Sequence, residues 1–123
     1  MFSNREKTTR ILDLEDYFQG NTPVIVSKVT GEIAHGSNHD IDIIAEQMTS
    51  VDFDCNNGCL ICAGRNNTGV VYVGKSGVTA GTNESTDGFP LNAGDSLIVE
   101  VSNVNLIYLI ADAENQKVFW MAS

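Results

Sequence analysis

The sequence predicts an all-β protein: an antiparallel β-sandwich or jelly roll of about eight strands, preceded by an N-terminal arm or short helix. Three observations support this prediction. Most of the 11 glycines separate short runs of β-branched residues, which is typical of strands joined by turns. Several runs alternate apolar and polar residues, as a strand with one buried face requires. No connection is long enough for a crossover helix, so the strands are expected to pair antiparallel.

Residues 1–21 differ from the rest and are predicted to form an arm. Ile11, Leu14 and Phe18 are spaced i, i+3, i+7 after a capping-box pattern, so the segment is either a short amphipathic helix or an extended arm. Its apolar residues need a surface to cover them. Residues 22–123 have the size of one globular domain with a single core and are predicted to form the sandwich.

Eight runs of the chain are predicted as strands. In order they are 22–29, 40–44, 50–54, 59–63, 70–74, 96–101, 105–111 and 117–122. The runs 40–44 and 50–54 are predicted as strands because aspartates alternate in them with apolar residues. Residues 45–50 are interpreted as their connection, and the Asn-Asn-Gly run at 56–58 predicts a tight hairpin because these residues accept positive φ.

The C-terminal half repeats the same pattern. In 96–101, Leu97, Val99 and Val101 are placed on one face, with Ile98 and Glu100 on the other. A polar turn at 112–116 joins the last two strands. The run at 88–91 contains a proline and is therefore expected at a sheet edge, where a missing N–H does least harm.

The charge distribution argues against nucleic acid and anionic membranes as partners. The formal net charge is −9, although Arg5, Lys7 and Arg10 make the first ten residues net positive. An acidic body repels nucleic acid and anionic lipid, whereas the basic stretch suits an acidic patch on a partner or simply keeps a mobile end solvated.

The sequence also predicts where the protein is made. No apolar run reaches the length of about 20 residues that a membrane-spanning helix needs, and the N-terminus lacks the pattern of a secretory signal, so synthesis in a cytoplasm is expected. The three cysteines, Cys55, Cys59 and Cys62, are odd in number and unevenly spaced. They argue against a disulfide framework and are typical of a reducing compartment.

Residues 69–76, GVVYVGKS, match the phosphate-binding loop pattern G-x-x-x-x-G-K-[ST]. A phosphate loop must curl its variable residues around the phosphates and be followed at once by a helix. The valines and the tyrosine at 70–73 favour extended backbone instead, and the glycine-rich stretch after Ser76 is unsuited to a helix. We interpret the match as a strand that ends in a turn, with Lys75 in solvent.

Two kinds of metal site are suggested by spacing, and neither is favoured. His35 and His39 precede the three cysteines, but Cys59 and Cys62 are expected on opposite sides of a strand, so buried structural cysteines are preferred to a zinc site. The acidic run at 52–56 lacks the glycine and the final carboxylate of a helix-loop-helix calcium loop. A weak cation site between carboxylates of neighbouring strands remains open; its candidates are Asp40, Asp42, Asp52 and Asp54.

Catalytic chemistry is not favoured either. The only two histidines lie in a stretch interpreted as a loop, and no nucleophile signature such as G-x-S-x-G occurs. The protein is therefore expected to be no enzyme and to use no metal or cofactor.

The order of short motifs in residues 67–122 resembles small β-sandwich proteins of tailed bacteriophage virions. These motifs are NTG before a strand, VG-x-x-x-VT, GFPL-x-x-G-D-S before a strand, IY-x-IA, a polar turn, and a last strand with aromatic residues. They cover a little under half of the chain. The polar loop at 81–88 is longer than in comparable proteins of this kind.

The resemblance implies a non-enzymatic capsid decoration, or cement, protein that binds and stabilises the capsid shell. It implies the major capsid protein as partner, a homotrimer, and a place on the capsid surface of the virion. The arm is then the predicted capsid contact, although it is also able to fold back on its own sheet; its candidate residues are Arg5, Lys7, Arg10, Ile11, Leu14, Tyr17 and Phe18. The aromatic candidates for core or trimer contact are Tyr108, Phe119 and Trp120.

An alternative is a receptor- or carbohydrate-binding module of a tail or head fibre. It predicts exposed aromatic side chains beside polar loops, and its candidates are Tyr72 or Trp120 with the loop at 81–88.

Overall fold

The computed structural model describes residues 32–123, and their strands are arranged in two antiparallel sheets of four strands each. A 3₁₀ turn at Val104–Leu106 is the one helical element in this range. The strands are β1 (Ala34–Ile41), β2 (Glu46–Gln47), β3 (Cys59–Ala63), β4 (Val71–Gly74), β5 (Phe89–Leu91), β6 (Ser96–Val99), β7 (Tyr108–Ala111) and β8 (Gln116–Ala122). The prediction of an all-β, antiparallel β-sandwich is confirmed.

The strand order brings together distant parts of the chain. The first sheet has the order β1-β8-β3-β6, and the second has the order β2-β7-β4-β5. Every pairing except β4 with β5 skips at least two strands of the sequence, so most backbone hydrogen bonds of the sheets are long-range. The edges of the first sheet are β1 and β6, and those of the second are β2 and β5. The edge position expected for the proline-containing run at 88–91 is confirmed, because β5 contains Pro90.

The inward faces of the two sheets share one hydrophobic core. Its fully buried side chains include Ile61 and Val118 from the first sheet and Val71, Leu91 and Leu109 from the second. These residues alternate along their strands with more exposed ones, most regularly in β8. Burial of large aliphatic side chains of this kind is the main source of stability for a domain of this size.

Trp120 belongs to this core through a contact that a glycine makes possible. It is paired with Gly36 of β1 and with Ile61 of β3, and it is almost fully buried. A Cβ atom at position 36 would lie only 2.9 Å from the indole Nε1. The indole therefore packs over the backbone of β1, in space that any larger residue at 36 would occupy.

Three strand predictions in the first half of the domain need comment. The strand predicted at 40–44 is correct only for Asp40 and Ile41, because β1 ends at Ile41 and begins at Ala34, in a stretch that was interpreted as a loop. Residues 50–54 are also wrong, because they contain only an isolated bridge from Asp54 to Asn103. The short strand β2 lies in 45–50, the predicted connection. The strand predicted at 22–29 and the arm at 1–21 lie outside the described residues.

The aspartate alternation failed because local side-chain hydrogen bonds compete with strand pairing. The carboxylate of Asp42 accepts a hydrogen bond from the amide of Ile44 at 2.9 Å, which forms a turn. The predicted hairpin at 56–58 is wrong for a different reason, because its backbone pairs with a distant part of the chain. Gly58 has a positive φ of 92°, as expected, but the amides of Asn56 and Asn57 both donate to the carbonyl oxygen of Ser123, and β3 pairs with β8 and β6.

The C-terminal half agrees better with the sequence. Predicted strands at 59–63 and 70–74 correspond to β3 and β4, and those at 96–101, 105–111 and 117–122 contain β6, β7 and most of β8. The turn predicted at 112–116 is one residue too long, because Gln116 is buried and begins β8. Its side chain accepts from the amide of Gly69 at 2.8 Å and donates to the Thr68 hydroxyl at 3.1 Å, which ties this turn to the start of β4.

Candidate functional site

The phosphate-loop match at 69–76 is an extended strand followed by a turn. Val71–Gly74 form β4, which pairs with β5 and β7 in the second sheet. The exposed turn after it contains Lys75 and ends when the amide of Val78 donates to the Lys75 carbonyl oxygen at 3.0 Å. No α-helix follows within the described residues. The extended conformation predicted for this stretch is confirmed from Val71 onwards.

The histidines and cysteines considered as zinc ligands do not come together in one site. His35 and His39 lie on β1 rather than in a loop, and the His39 ring makes an edge contact with Phe119 at a centroid distance of 5.9 Å. Cys59 is buried, whereas Cys62 on the same strand is half-buried, so the expected placement on opposite sides is observed. All three cysteines are free thiols. In residues 32–123 no three His, Cys, Asp or Glu side chains are grouped as metal ligands.

The four aspartates proposed as weak cation ligands are separated into two places. Asp52 and Asp54 both accept from the side-chain amide of Asn103, at 2.7 and 3.2 Å. Asp42 lies in the turn after β1, and Asp40 is exposed near the end of that strand. The first pair holds the segment before β3 against the 3₁₀ turn. The expected arrangement on neighbouring strands is wrong, because 50–54 is not a strand.

An ordered polar loop surrounds the carboxylate of Asp87. We call residues 79–88 the Asp87 loop. One carboxylate oxygen accepts from the Thr79 hydroxyl at 2.6 Å and from the hydroxyl and amide of Thr82 at 2.7 and 3.0 Å. The other accepts from the amides of Asn83 and Glu84, at 2.7 and 3.3 Å. These bonds, with that from Thr79 the strongest cause, hold the pKa of Asp87 well below its usual range.

The Asp87 loop lies against Tyr72. Gly81 has a positive φ of 64°, and a Cβ atom there would lie 2.7 Å from the Tyr72 hydroxyl oxygen. The carbohydrate-binding alternative named Tyr72 or Trp120 as partner of this loop. The structure brings Tyr72 to the loop, whereas Trp120 is buried in the first sheet.

The first sheet has an apolar outward side, which we call the outer apolar face. Strand register places Met121, Leu60 and Ile98 side by side on β8, β3 and β6, and Phe119 lies one row further along β8. Their exposed fractions are 51%, 43%, 65% and 45%. Ile33, just before β1, is 61% exposed and completes the face. Neighbouring exposed apolar side chains of this kind are candidates for a contact site, whereas apolar residues exposed singly need no explanation.

A second apolar surface lies where the edges of the two sheets meet. We call it the edge groove; it has a volume of about 470 Å³. The inward-facing Leu97, Val99 and Val101 of the β6 segment are only partly buried because the groove opens beside them. The exposed side chains of Phe89 and Leu106 stand at its rim. Inward-facing residues of the central strand β3 have no such opening.

The three predicted aromatic candidates lie in different environments. Trp120 is in the core, Phe119 is on the outer apolar face, and Tyr108 is half-buried on the outward side of the second sheet. The predicted capsid-contact residues of the arm, from Arg5 to Phe18, lie outside the described residues.

Sequence reasoning missed the exposed members of the two apolar surfaces. The strand predicted at 59–63 reads CLICA, and periodicity alone does not reveal which apolar residues of such a run face solvent. Leu60 is one of these. For the Asp87 loop a signal was present, since Thr, Asn and Asp clustered with glycine favour side-chain-to-backbone hydrogen bonds.

Comparison with known proteins yields no relative. No family model matches the chain, and neither the search of curated proteins nor that of solved structures finds a match. Within residues 32–123 there is also no helix long and apolar enough to cross a membrane.

Proposed function

We propose that this protein is a non-enzymatic structural protein of a tailed-bacteriophage virion, a decoration or cement protein that binds the outside of the capsid and stabilises it. It is made in the host cytoplasm and acts on the capsid surface, with the major capsid protein as partner. The observation that carries the proposal is the edge groove, an apolar surface on a small β-sandwich with exposed Phe89 and Leu106 at its rim.

The strand order adds support. The pairs are β1 with β8, β2 with β7, β3 with β6 and β4 with β5. We infer that the sandwich is a jelly roll, because two interlocked Greek keys of eight strands have these pairs, and capsid-associated domains often use this architecture. This agrees with the motif resemblance in residues 67–122.

The mechanism is contact rather than chemistry. Each bound copy bridges neighbouring capsid subunits and stabilises the assembled form by mass action, because it binds the shell and not the separated subunits. The edge groove receives an apolar side chain of the capsid protein. The arm adds area through Ile11, Leu14, Tyr17 and Phe18, and Arg5, Lys7 and Arg10 bind an acidic patch.

The homotrimer is part of the same proposal. A closed ring of three copies requires each copy to present two different surfaces, one to each neighbour. Phe119 and Tyr108 suit this requirement, because they lie on the outward sides of different sheets. Phe119→Asp is expected to convert a trimer to monomers in analytical ultracentrifugation, and an unchanged trimer mass would remove Phe119 from the interface.

The direct test mixes purified protein with undecorated capsids and measures co-sedimentation and the temperature at which the capsids break. Binding and a higher disruption temperature are expected. Phe89→Asp with Leu106→Asp is expected to weaken binding at least tenfold, and deletion of residues 1–20 is expected to abolish it. The control is Ile44→Asp, because Ile44 is also an exposed apolar residue but lies outside the groove. Absence of binding by the unaltered protein would refute the proposal.

One observation favours the second candidate, a carbohydrate-binding module of a fibre. Tyr72 lies beside the Asp87 loop, which presents ordered polar groups next to an aromatic ring. A glycan-array signal that is lost in Tyr72→Ala, and retained in Phe89→Asp with Leu106→Asp, would favour this function over capsid binding.

A further inference from the structure

The strand β6 ends the first sheet with a backbone edge beside the edge groove. The amide of Ala63 donates to the carbonyl oxygen of Asp95 at 2.9 Å, and the same register continues along β6. Because hydrogen-bonded and non-hydrogen-bonded pairs alternate in an antiparallel ladder, Leu97 and Val99 bond to β3. The N–H and C=O groups of Ile98 therefore point away from β3, and no strand of residues 32–123 pairs with that side of β6.

The other three sheet edges carry features that block pairing with a further strand. The register of β1 is irregular between Asn38 and Ile41, β2 has only two residues, and β5 contains Pro90. Bulges, short length and proline are means by which proteins protect sheet edges. The register of β6 is regular over its four residues, and it has none of these features. Among the described strands, β6 is thus the edge best suited to accept another strand.

The edge groove lies where the inward side chains of an added strand would point. A strand paired with β6 would extend the first sheet by about 4.8 Å, and every second side chain would face the second sheet. The lining of the groove comes from both sheets, with Leu97 and Val99 on β6 and Val73 and Phe89 on the other side. Leu97 and Val99 face inward but are only partly buried. This is the exposure expected where a neighbouring strand is missing.

The charges near β6 select the chemistry of the added strand. Asp95 directly precedes β6 and Glu100 directly follows it, and both are exposed. Residues 32–123 contain 12 aspartates or glutamates but three lysines or arginines, of which Lys75 alone lines the groove. A second copy of β6 would bring further carboxylates and no basic residue to meet Glu100. A strand that carries lysine or arginine is favoured instead, because opposite charges on paired strands attract.

We propose that an extended segment of a partner protein pairs with the free edge of β6 as a fifth strand of the first sheet. Its backbone bonds to Ile98, its alternate apolar side chains fill the edge groove, and a lysine or arginine on its other face lies near Glu100. The inference rests on the proposed function for the identity of the partner, which is then the major capsid protein, but not for the pairing itself.

Amide hydrogen exchange in the full-length protein tests whether the edge is free. We expect the amide of Ile98 to exchange at least tenfold faster than those of Leu97 and Val99 in NMR spectra, because only the latter bond to β3. Equal protection of Ile98 would mean that the edge is already paired and would overturn the proposal. Loss of that protection on hundredfold dilution would assign the edge to a second copy, and its persistence would assign the edge to the chain outside residues 32–123.

A designed peptide tests strand addition directly. The probe is the heptapeptide Lys-Val-Thr-Val-Thr-Val-Lys, with fluorescein at its N-terminus and an amide at its C-terminus, whose valines share one face of a strand. Saturable binding in fluorescence anisotropy is expected, with exchange at Ile98 slowed at least tenfold. The matched control has glutamate in place of both lysines and should bind at least tenfold more weakly at low salt. No binding of the lysine peptide up to about 1 mM, or equal binding of both peptides, would overturn the proposal.

A substitution in β6 tests the backbone bonds. Ile98→Pro removes the outward N–H and leaves the bonds of Leu97 and Val99 to β3, so an edge strand tolerates it. Ile98→Val keeps the N–H and is the matched control. The lysine peptide should bind Ile98→Pro at least tenfold more weakly and Ile98→Val within about twofold of the unaltered protein. Equal binding by the proline variant would refute pairing with β6, and the two-peptide comparison stays decisive if that variant does not fold.

Undecorated capsids separate this inference from the proposed function. If both hold, Ile98→Pro weakens co-sedimentation with capsids at least tenfold and Ile98→Val does not. Capsid binding that the proline variant retains in full would overturn strand addition and leave the proposed function intact. Peptide binding at β6 without any capsid binding would refute the proposed function and support strand addition.

Discussion

The outward sides of the two sheets differ in what covers them. On the second sheet, Ile110 is only 8% exposed although it points away from the shared core, and its neighbour Tyr72 contacts the Asp87 loop. On the first sheet, Ile98 is 65% exposed and no loop of residues 32–123 lies over it. The two isoleucines have the same side chain on strands of similar length.

This difference shows that one sheet of a sandwich can be covered by a loop of its own chain while the other stays exposed. A loop that satisfies its own backbone groups, as the Asp87 loop does around one carboxylate, is able to cover a sheet without help from another element. The outer apolar face has no such cover in residues 32–123. Its apolar residues are therefore available for contact with another protein.

The largest expected effect comes from truncating the two isoleucines. Ile110→Ala should lower the free energy of unfolding by about 2–4 kcal/mol, because it leaves a cavity in a packed site. Ile98→Ala, its matched control, should lower it by less than about 1 kcal/mol. Urea unfolding monitored by Trp120 fluorescence measures both. Equal losses would mean that the two faces are covered to the same degree.

A smaller effect is expected at the contact between the Asp87 loop and Tyr72. Gly81→Ala should cost about 1–2 kcal/mol for its positive φ, plus a further loss from contact with the Tyr72 hydroxyl. Gly77→Ala is the control, since its φ is 89° and a Cβ atom there meets nothing within 4 Å. Tyr72→Phe should reduce the cost of Gly81→Ala to that of Gly77→Ala in thermal unfolding. No such rescue would place the loop away from Tyr72.

The Asp87 loop should become less ordered at low pH, because its hydrogen bonds are made to an ionised carboxylate. The pKa of Asp87 is lowered in the folded state, so its stabilising contribution is complete above the ordinary Asp pKa of about 3.9. That contribution is lost as the pH falls towards the lower folded-state pKa. We expect amide hydrogen exchange at 82–84 to stay slow at pH 5 and to accelerate several-fold in Asp87→Asn. Unchanged exchange in the variant would contradict the role of the carboxylate.

Thiols on the two sides of β3 should differ in reactivity, with no change in stability involved. Burial, reinforced by the nearby Cys55, raises the pKa of Cys59 to about 11, so this inward-facing thiol stays protonated at pH 8. Cys62 lies three residues further along the strand on the outward side. Alkylation at pH 8 should label Cys62 at least tenfold faster than Cys59. Faster labelling of Cys59 would mean that the register of β3 is wrong.

Particular strands show why part of the fold was predictable. In β8, alternation from Gln116 to Ala122 reflects a single buried face, and the period of two is visible in the residues themselves. In 40–44 and 50–54 the same period occurs, yet Asp42 binds the amide of Ile44 and Asp52 binds Asn103. An alternation of aspartate with apolar residues therefore does not require a strand, because the aspartates here form side-chain hydrogen bonds with local or distant partners.

The candidate site was less predictable than the fold. The edge position of β5 followed from Pro90, because a residue without an N–H is tolerated at an edge. The edge groove beside it did not follow, since it depends on β5 and β6 being edges of different sheets on one side of the sandwich. Phe89 and Leu106 are 17 residues apart, and no local pattern joins them.

The amino-acid sequence by itself determined the all-β class, the extended conformation of Val71–Gly74 and most strands of the C-terminal half. These features depend on the conformational preferences and apolar period of neighbouring residues. Only the tertiary structure decided which strands pair, which apolar residues remain exposed, and that the carboxylate of Asp87 organises a loop. Pairing and exposure depend on contacts between residues far apart in the chain, and such contacts leave no periodic signal in the sequence.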